Sequence, residues 1–187
     1  PDALRGIERY APWALLLEAT PEAPELPGRR LTMTPDLQWV SDRPFAELVR
    51  FEATSYPEFR HGPLQMTPAL RAFTELPPGY NPRTLQLAAD MRADPALAGA
   101  DTAALVNAAM LRLRTGGYTY TLEPGVSGQH SADEFWFDTK AGFCEHIASA
   151  FVVLMRALDI PSRIVTGYQG GELNGVDGYW TVRQADA

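Results

Sequence analysis

The sequence predicts an α+β domain preceded by part of an all-β one, and three observations carry that reading. Residues 1 to about 60 hold short apolar runs separated by turn residues. From residue 82 onward the apolar residues recur at spacings of three and four, the helical period. From residue 163 the chain returns to strand-like runs. The expected division is the C-terminal half of a β-rich domain over 1–60, a connector over 61–81, and a core domain over 82–187.

Taken in order, Trp13-Ala14-Leu15-Leu16-Leu17 is an apolar run ended by the breakers Thr20-Pro21-Glu22-Ala23-Pro24. Leu31-Thr32-Met33-Thr34 and Leu37-Gln38-Trp39-Val40 flank Pro35-Asp36, a two-residue turn. Phe45 to Thr54 alternates roughly enough for a further strand. Prolines punctuate 57–82, and Leu76-Pro77-Pro78-Gly79 is a stop. Asn81-Pro82 reads as an N-cap with Pro at the first helical position, opening a helix on Leu85, Leu87, Ala88 and Met91. Asp101-Thr102 opens the next, with Leu105, Val106, Ala109, Met110 and Leu113 on one stripe and Gly116-Gly117 ending it. Tyr118 to Leu122 is a short strand, and Ser131 to Phe137 a short helical turn. The strongest helix starts at Cys144 and buries Ile147, Phe151, Leu154, Met155 and Leu158 before Ile160-Pro161 stops it. Arg163 to Tyr168 and Tyr179 to Val182 read as strands.

The chain of 187 residues is 45% hydrophobic and 21% charged, which suits a packed core. Its net charge of −7, without a block of Lys or Arg, argues against nucleic acid as a partner. No apolar run approaches the ~20 residues needed to cross a bilayer. No acidic cluster resembles a Ca²⁺ loop, so neither a metal nor a cofactor is expected. A chain that starts Pro1-Asp2 without Met and ends Gln184-Ala185-Asp186-Ala187 straight after a strand reads as a piece of something longer.

Cys144 is the single cysteine, so no internal disulfide can form. A free Cys is often just a small buried hydrophobe. This one precedes the apolar stripe by three residues and follows Gly142, which places it at a helix N-terminus. Unpaired N–H groups and the positive end of the helix favour an anionic thiolate there, and the same N–H groups suit an oxyanion. A nucleophile also needs a base. His146 lies two residues on, rotated by ~200° about the helix axis, so its ring points away from the sulfur. His130 falls in a Gly/Ser loop and His61 in the Pro-rich connector. None of the three makes a good base.

Gly142-Phe143-Cys144-Glu145-His146-Ile147-Ala148-Ser149-Ala150, continued by Leu154 to Tyr168 with its Ile160-Pro161-Ser162-Arg163 and Val165-Thr166-Gly167-Tyr168, resembles the core motif of bacterial transglutaminase-like proteins. Phe135-Trp136-Phe137 resembles the aromatic cluster that this family places before its Cys. Asp159 stands where the family often has Gly, and Asp tolerates the left-handed conformation well enough to keep the helix cap. Ser162 replaces a common Ala without consequence.

The resemblance implies a papain-like core, with Cys144 on the N-terminus of a central helix packed on an antiparallel sheet. It implies acyl transfer through a cysteine thioester, from a glutamine side chain of a protein or peptide donor to an amine acceptor. A cysteine peptidase or deamidase on the same fold, or a peptide-binding module without catalysis, are the alternatives. The family's base is a His in an Asp-Ala-His-Ala-Trp segment, oriented by an Asp or Asn on the next strand. Asp186-Ala187 matches the start of that segment, so the fragment alone is expected to be inactive. Animal transglutaminases use a Trp to help hold the oxyanion and none aligns here. Tyr118, Tyr120 and Trp136 are the aromatic candidates for that support, with ordinary strand packing the alternative for the tyrosines. Within the family the resemblance is greatest to bacterial inner-membrane members whose domain is periplasmic, because a β segment directly precedes the Cys domain and Leu76 to Arg83 matches their junction. A membrane-anchored parent is thereby implied.

Overall fold

Three short runs from the N-terminal part pair as one antiparallel sheet: β1 (Ala14–Leu16), β2 (Leu31–Met33) and β3 (Gln38–Ser41), in the order β1-β3-β2. Val40 sits opposite Ala14 on one side and Thr32 on the other. The structure is a computed structural model and describes residues 14–16, 21–35, 37–46, 65–167 and 171–183, with single positions between 49 and 62. His61, Tyr168 and Asp186-Ala187 therefore lie outside the described residues. Residues 1–62 and 166–187 group into one unit and residues 63–165 into another.

In the first unit the turn between β2 and β3 closes through Leu37 N–H donating to the Thr34 carbonyl at 3.1 Å, and Thr34 N–H donating to Gln38 at 2.8 Å. The strand expected over 45–54 is not formed at its described positions. Instead the Arg29 guanidinium donates to the carbonyls of Arg43 and Pro44 at 2.8 and 2.9 Å and stands 4.5 Å over the Phe45 ring. A side chain thus holds this segment where a ladder would have, and Pro44 has no N–H to offer a ladder. At the other end of the chain β6 (Glu172–Leu173) and β7 (Trp180–Thr181) form a hairpin, its loop fixed by Asn174 Oδ1 accepting from Val176 N–H at 2.9 Å. The strand expected at 163–168 carries no ladder at 163–167. Val165 there is 85% exposed, and among the described residues no strand covers it.

The second unit is helical. A short α1 (Pro68–Arg71), capped by Thr67 Oγ1 accepting from Leu70 N–H, runs into a 3₁₀ turn over 72–74. Helix α2 (Pro82–Ala93) and helix α3 (Thr102–Thr115) follow, joined by a 3₁₀ turn at Pro95–Leu97. Asp101 caps α3 by accepting from Ala104 N–H at 2.8 Å, and Gly117 at φ 77° turns the chain out of it. Then come β4 (Thr119–Tyr120), α4 (Ser131–Asp133) continued by a wide π-type turn over Glu134–Thr139, β5 (Ala141–Gly142), and α5 (Cys144–Ala157). β4 and β5 are a parallel pair. The core is Ala88, Leu105, Ala109, Phe135, Trp136, Ala150, Leu154, Met155 and Leu158, drawn from α2, α3, the aromatic turn after α4 and one face of α5. Burying that face supplies most of the stabilisation of a helix of this length.

α2 and α4 cap each other. The side chain of Asn81, the N-cap of α2, makes no bond to its own helix. Its Oδ1 accepts from the N–H groups of Ala132 and Asp133 at the start of α4, at 3.1 and 3.4 Å. In return the buried Asp133 carboxylate accepts from Arg83 N–H at 3.0 Å, Thr84 N–H at 2.7 Å and Thr84 Oγ1 at 2.7 Å. The orphan donors of both helix starts are thus satisfied by side chains some fifty residues away in sequence. Asn81 can do this because it adopts φ 51°, a left-handed conformation that Asn tolerates.

Candidate active site

Cys144 is the first residue of α5 and is solvent-exposed. Phe143, the N-cap, offers no side-chain hydrogen bond, so the first-turn N–H groups are not taken up by a cap. An exposed sulfur sits at an uncapped helix start, where amide donors and dipole both favour negative charge. Glu145, the next residue, is exposed and lies in the same first turn.

The approach to the cysteine is tightly built. A Cβ on Gly142 would fall 2.5 Å from His146 Cβ and 3.0 Å from its Cγ. The His146 ring packs edge-on to Phe143 with centroids 4.4 Å apart. His146 therefore folds back over the two residues that precede the nucleophile, and its Nδ1 is buried without a hydrogen-bond partner. Lys140, at φ 48°, immediately precedes β5 and donates from Nζ to the Gly116 carbonyl at the end of α3, at 3.1 Å.

The candidate supporting aromatics separate. Trp136 is fully buried and its indole N–H donates to the Ala150 carbonyl at 3.1 Å. The Tyr118 hydroxyl donates to the Trp136 carbonyl at 3.0 Å, and its ring stacks on Phe135 at 5.3 Å. Both donors are committed inside the core, leaving neither free for an oxyanion. Tyr120 is different. It is 61% exposed and sits on β4 directly opposite Gly142, two residues before Cys144.

Of the histidines, His130 accepts the Asn81 N–H on Nδ1 at 3.1 Å and meets the Tyr80 ring edge-on at 6.3 Å. His130 does lie in a turn before α4, but its ring is half-buried and belongs to the junction of α2 and α4. The signal was available in the pattern Asn81 followed by His130-Ser131-Ala132-Asp133, two helix starts each carrying an Asx residue, but nothing local says that they cap one another. Among the described residues no group of acidic, His and Cys side chains is arranged to hold a metal ion.

An exposed thiol on the N-terminus of a buried central helix defines the class of a cysteine-centred α+β domain, and comparison with known proteins places it further. The family model described as the transglutaminase-like superfamily matches residues 90–187, and the chain belongs to that family. It is 44% identical over 113 residues to the protein-glutamine gamma-glutamyltransferase of Pseudomonas aeruginosa, spanning 60% of this chain and 16% of that protein. It is 40% identical over 63 residues to the uncharacterized protein YebA of Bacillus subtilis, spanning 32% of this chain and 8% of that protein. The solved periplasmic domain of TgpA from Pseudomonas aeruginosa bound to ethylmercury superposes with a TM-score of 0.73 at 33% identity, covering 92% of this chain and 63% of the solved one. A second structure of the same periplasmic domain gives the same TM-score, with 60% of the solved chain covered. The chain thus spans less than two thirds of each of these relatives.

Proposed function

We propose that Cys144 is the nucleophile of a protein-glutamine acyl transfer. The observation that carries this is the exposed sulfur at the uncapped start of α5 in a chain of the transglutaminase-like superfamily. The thiolate attacks the side-chain carbonyl carbon of a donor glutamine, the carbon–nitrogen bond breaks, and ammonia leaves with a proton from the base. A primary amine then attacks the thioester, its nitrogen bonds to the acyl carbon and gives up a proton to the base, and the carbon–sulfur bond breaks to release the thiolate. First-turn N–H groups of α5 hold the oxyanion of each tetrahedral intermediate.

The base in this reading is neither His130, which accepts a backbone N–H, nor His146, which packs behind the nucleophile. In this reading it is the histidine of the family's Asp-Ala-His segment, whose first two residues match Asp186-Ala187. Similarity to the periplasmic domain of TgpA supports a periplasmic location, and a parent anchored in the inner membrane belongs to the same proposal. Among the described residues no helix is long and apolar enough to cross a membrane.

The test is to incubate the full-length protein with a glutamine peptide and a fluorescent primary amine. Amine incorporation with ammonia release, both lost in Cys144→Ala, is the expected result. Ammonia release without incorporation assigns deamidation, cleavage of the peptide backbone assigns a peptidase, and peptide binding without any product assigns a non-catalytic module.

A further inference from the structure

We propose that the outer edge of β4, at Tyr118 and Tyr120, pairs with the extended backbone of the donor polypeptide and so lays its glutamine beside Cys144. The proposal rests on the acyl-transfer reading and names how that site takes hold of its donor. In the β4–β5 ladder Thr119 N–H donates to Lys140 at 2.8 Å and Thr121 N–H donates to Gly142 at 3.0 Å. Backbone groups alternate in direction along a strand, so those of Tyr118 and Tyr120 face the opposite edge. Among the described residues no further strand pairs with that edge.

Natural strand edges are blunted by charge, proline or a covering element. Here β4 is Thr119–Tyr120, flanked by Tyr118 and by Thr121-Leu122, a stretch uncharged and free of proline, with Tyr120 61% and Leu122 75% exposed. The occupant is set by chemistry and place together. Outward N–H and C=O groups two residues apart match an extended peptide, and such pairing with aromatic side chains alongside is a recurring mode of peptide capture. The register then connects the edge to the nucleophile, since Tyr120 is opposite Gly142 and Gly142 leads through Phe143 into Cys144. Backbone pairing would accept many sequences around the glutamine, with Tyr120 and Leu122 favouring apolar or aromatic neighbours.

The test measures binding without chemistry, so that it is decided separately from acyl transfer. Full-length protein carrying Cys144→Ala is titrated with a labelled heptapeptide centred on Gln and with two versions N-methylated at alternate amides. Methylation of one alternate set should weaken binding about tenfold, the loss of roughly one peptide hydrogen bond, while the other set stays within about twofold. Adding Tyr120→Pro, which removes an N–H that the β4–β5 ladder does not use but keeps the carbonyl, should weaken the parent peptide by a similar factor and leave the difference between the methylated versions in place. Tyr120→Ala, which keeps the N–H, should retain that difference. Equal response to both methylation sets overturns the proposal. So does slow hydrogen exchange at Tyr120 in peptide-free protein, which would mean another strand of the polypeptide already fills the edge. A dimer that Tyr120→Pro dissociates would assign the edge to a second copy and equally overturn it. Peptide binding with this pattern but no acyl transfer by the Cys144 protein would keep the edge and sink the reaction.

Discussion

At Gly142 the chain has no room for a methyl group, and the obstacle is the Cβ of His146, an atom that any residue but glycine would carry. Gly142→Ala should therefore cost about 1–3 kcal/mol, in the range of other overpacking changes, read from the denaturation midpoint. The same geometry says that His146→Ala will not rescue it, because the Cβ remains, whereas His146→Gly will. Rescue by His146→Ala would mean that the imidazole ring, not the backbone approach, sets the constraint. Two residues on, Cys144 makes the opposite expectation. As an exposed side chain it should tolerate Cys144→Ala with a change in stability below about 1 kcal/mol, measured in the same titration. A loss of several kcal/mol would place the sulfur in the packing and remove it from the chemistry.

Helix ends carry the next set of consequences. α5 finishes in a paired cap: Ile160 N–H donates to Met155 and Asp159 N–H to Arg156, each at 2.9 Å, with Asp159 at φ 55°. Arg92 also donates to the Leu158 carbonyl at this end. The cap expected at Asp159 thus forms, although the residue is one that pays a steric penalty in that conformation. Asp159→Gly should stabilise the domain by about 0.5–1 kcal/mol, seen as a raised Tm; a lowered Tm would mean that the carboxylate has a role of its own. Helices were legible because period, cap and stop agree: Asn81-Pro82, Asp101-Thr102 and Gly142-to-Cys144 each mark an N-terminus that the structure keeps within a residue. Strands were less so. Ladder formation depends on a partner elsewhere in the chain, which is why Arg163 to Gly167 has strand composition without a ladder and why the two-residue β6 had no signal in Glu172-Leu173. Of the candidate site, Cys144 and its helix were readable from local pattern. The placement of Tyr120 opposite Gly142, and the commitment of Trp136 to Ala150, required the fold.

For the whole molecule, the net charge of −7 makes a simple prediction. With no run of Lys or Arg in the sequence, few counterions would be released from a phosphate backbone, so fluorescence anisotropy of a labelled duplex at low salt should not change on adding protein at micromolar concentration. A salt-dependent rise would point to a basic surface elsewhere in the full-length protein. The helical unit depends on a single buried constellation, and its most vulnerable polar member is Asp133, 3% exposed and accepting three hydrogen bonds. Asp133→Ala leaves the two amides and the Thr84 hydroxyl without acceptors and should cost about 3–5 kcal/mol by chemical denaturation. A cost under about 1 kcal/mol would mean that water replaces the carboxylate freely.

That Asn81 and Asp133 each complete the other's helix has a kinetic corollary. Neither helix start is finished until chain segments far apart in sequence have met, so loop closure has to come before the gain from either cap. Single substitutions at the two positions should accelerate unfolding and leave the early collapse untouched, and the double substitution should cost less than the sum of the two.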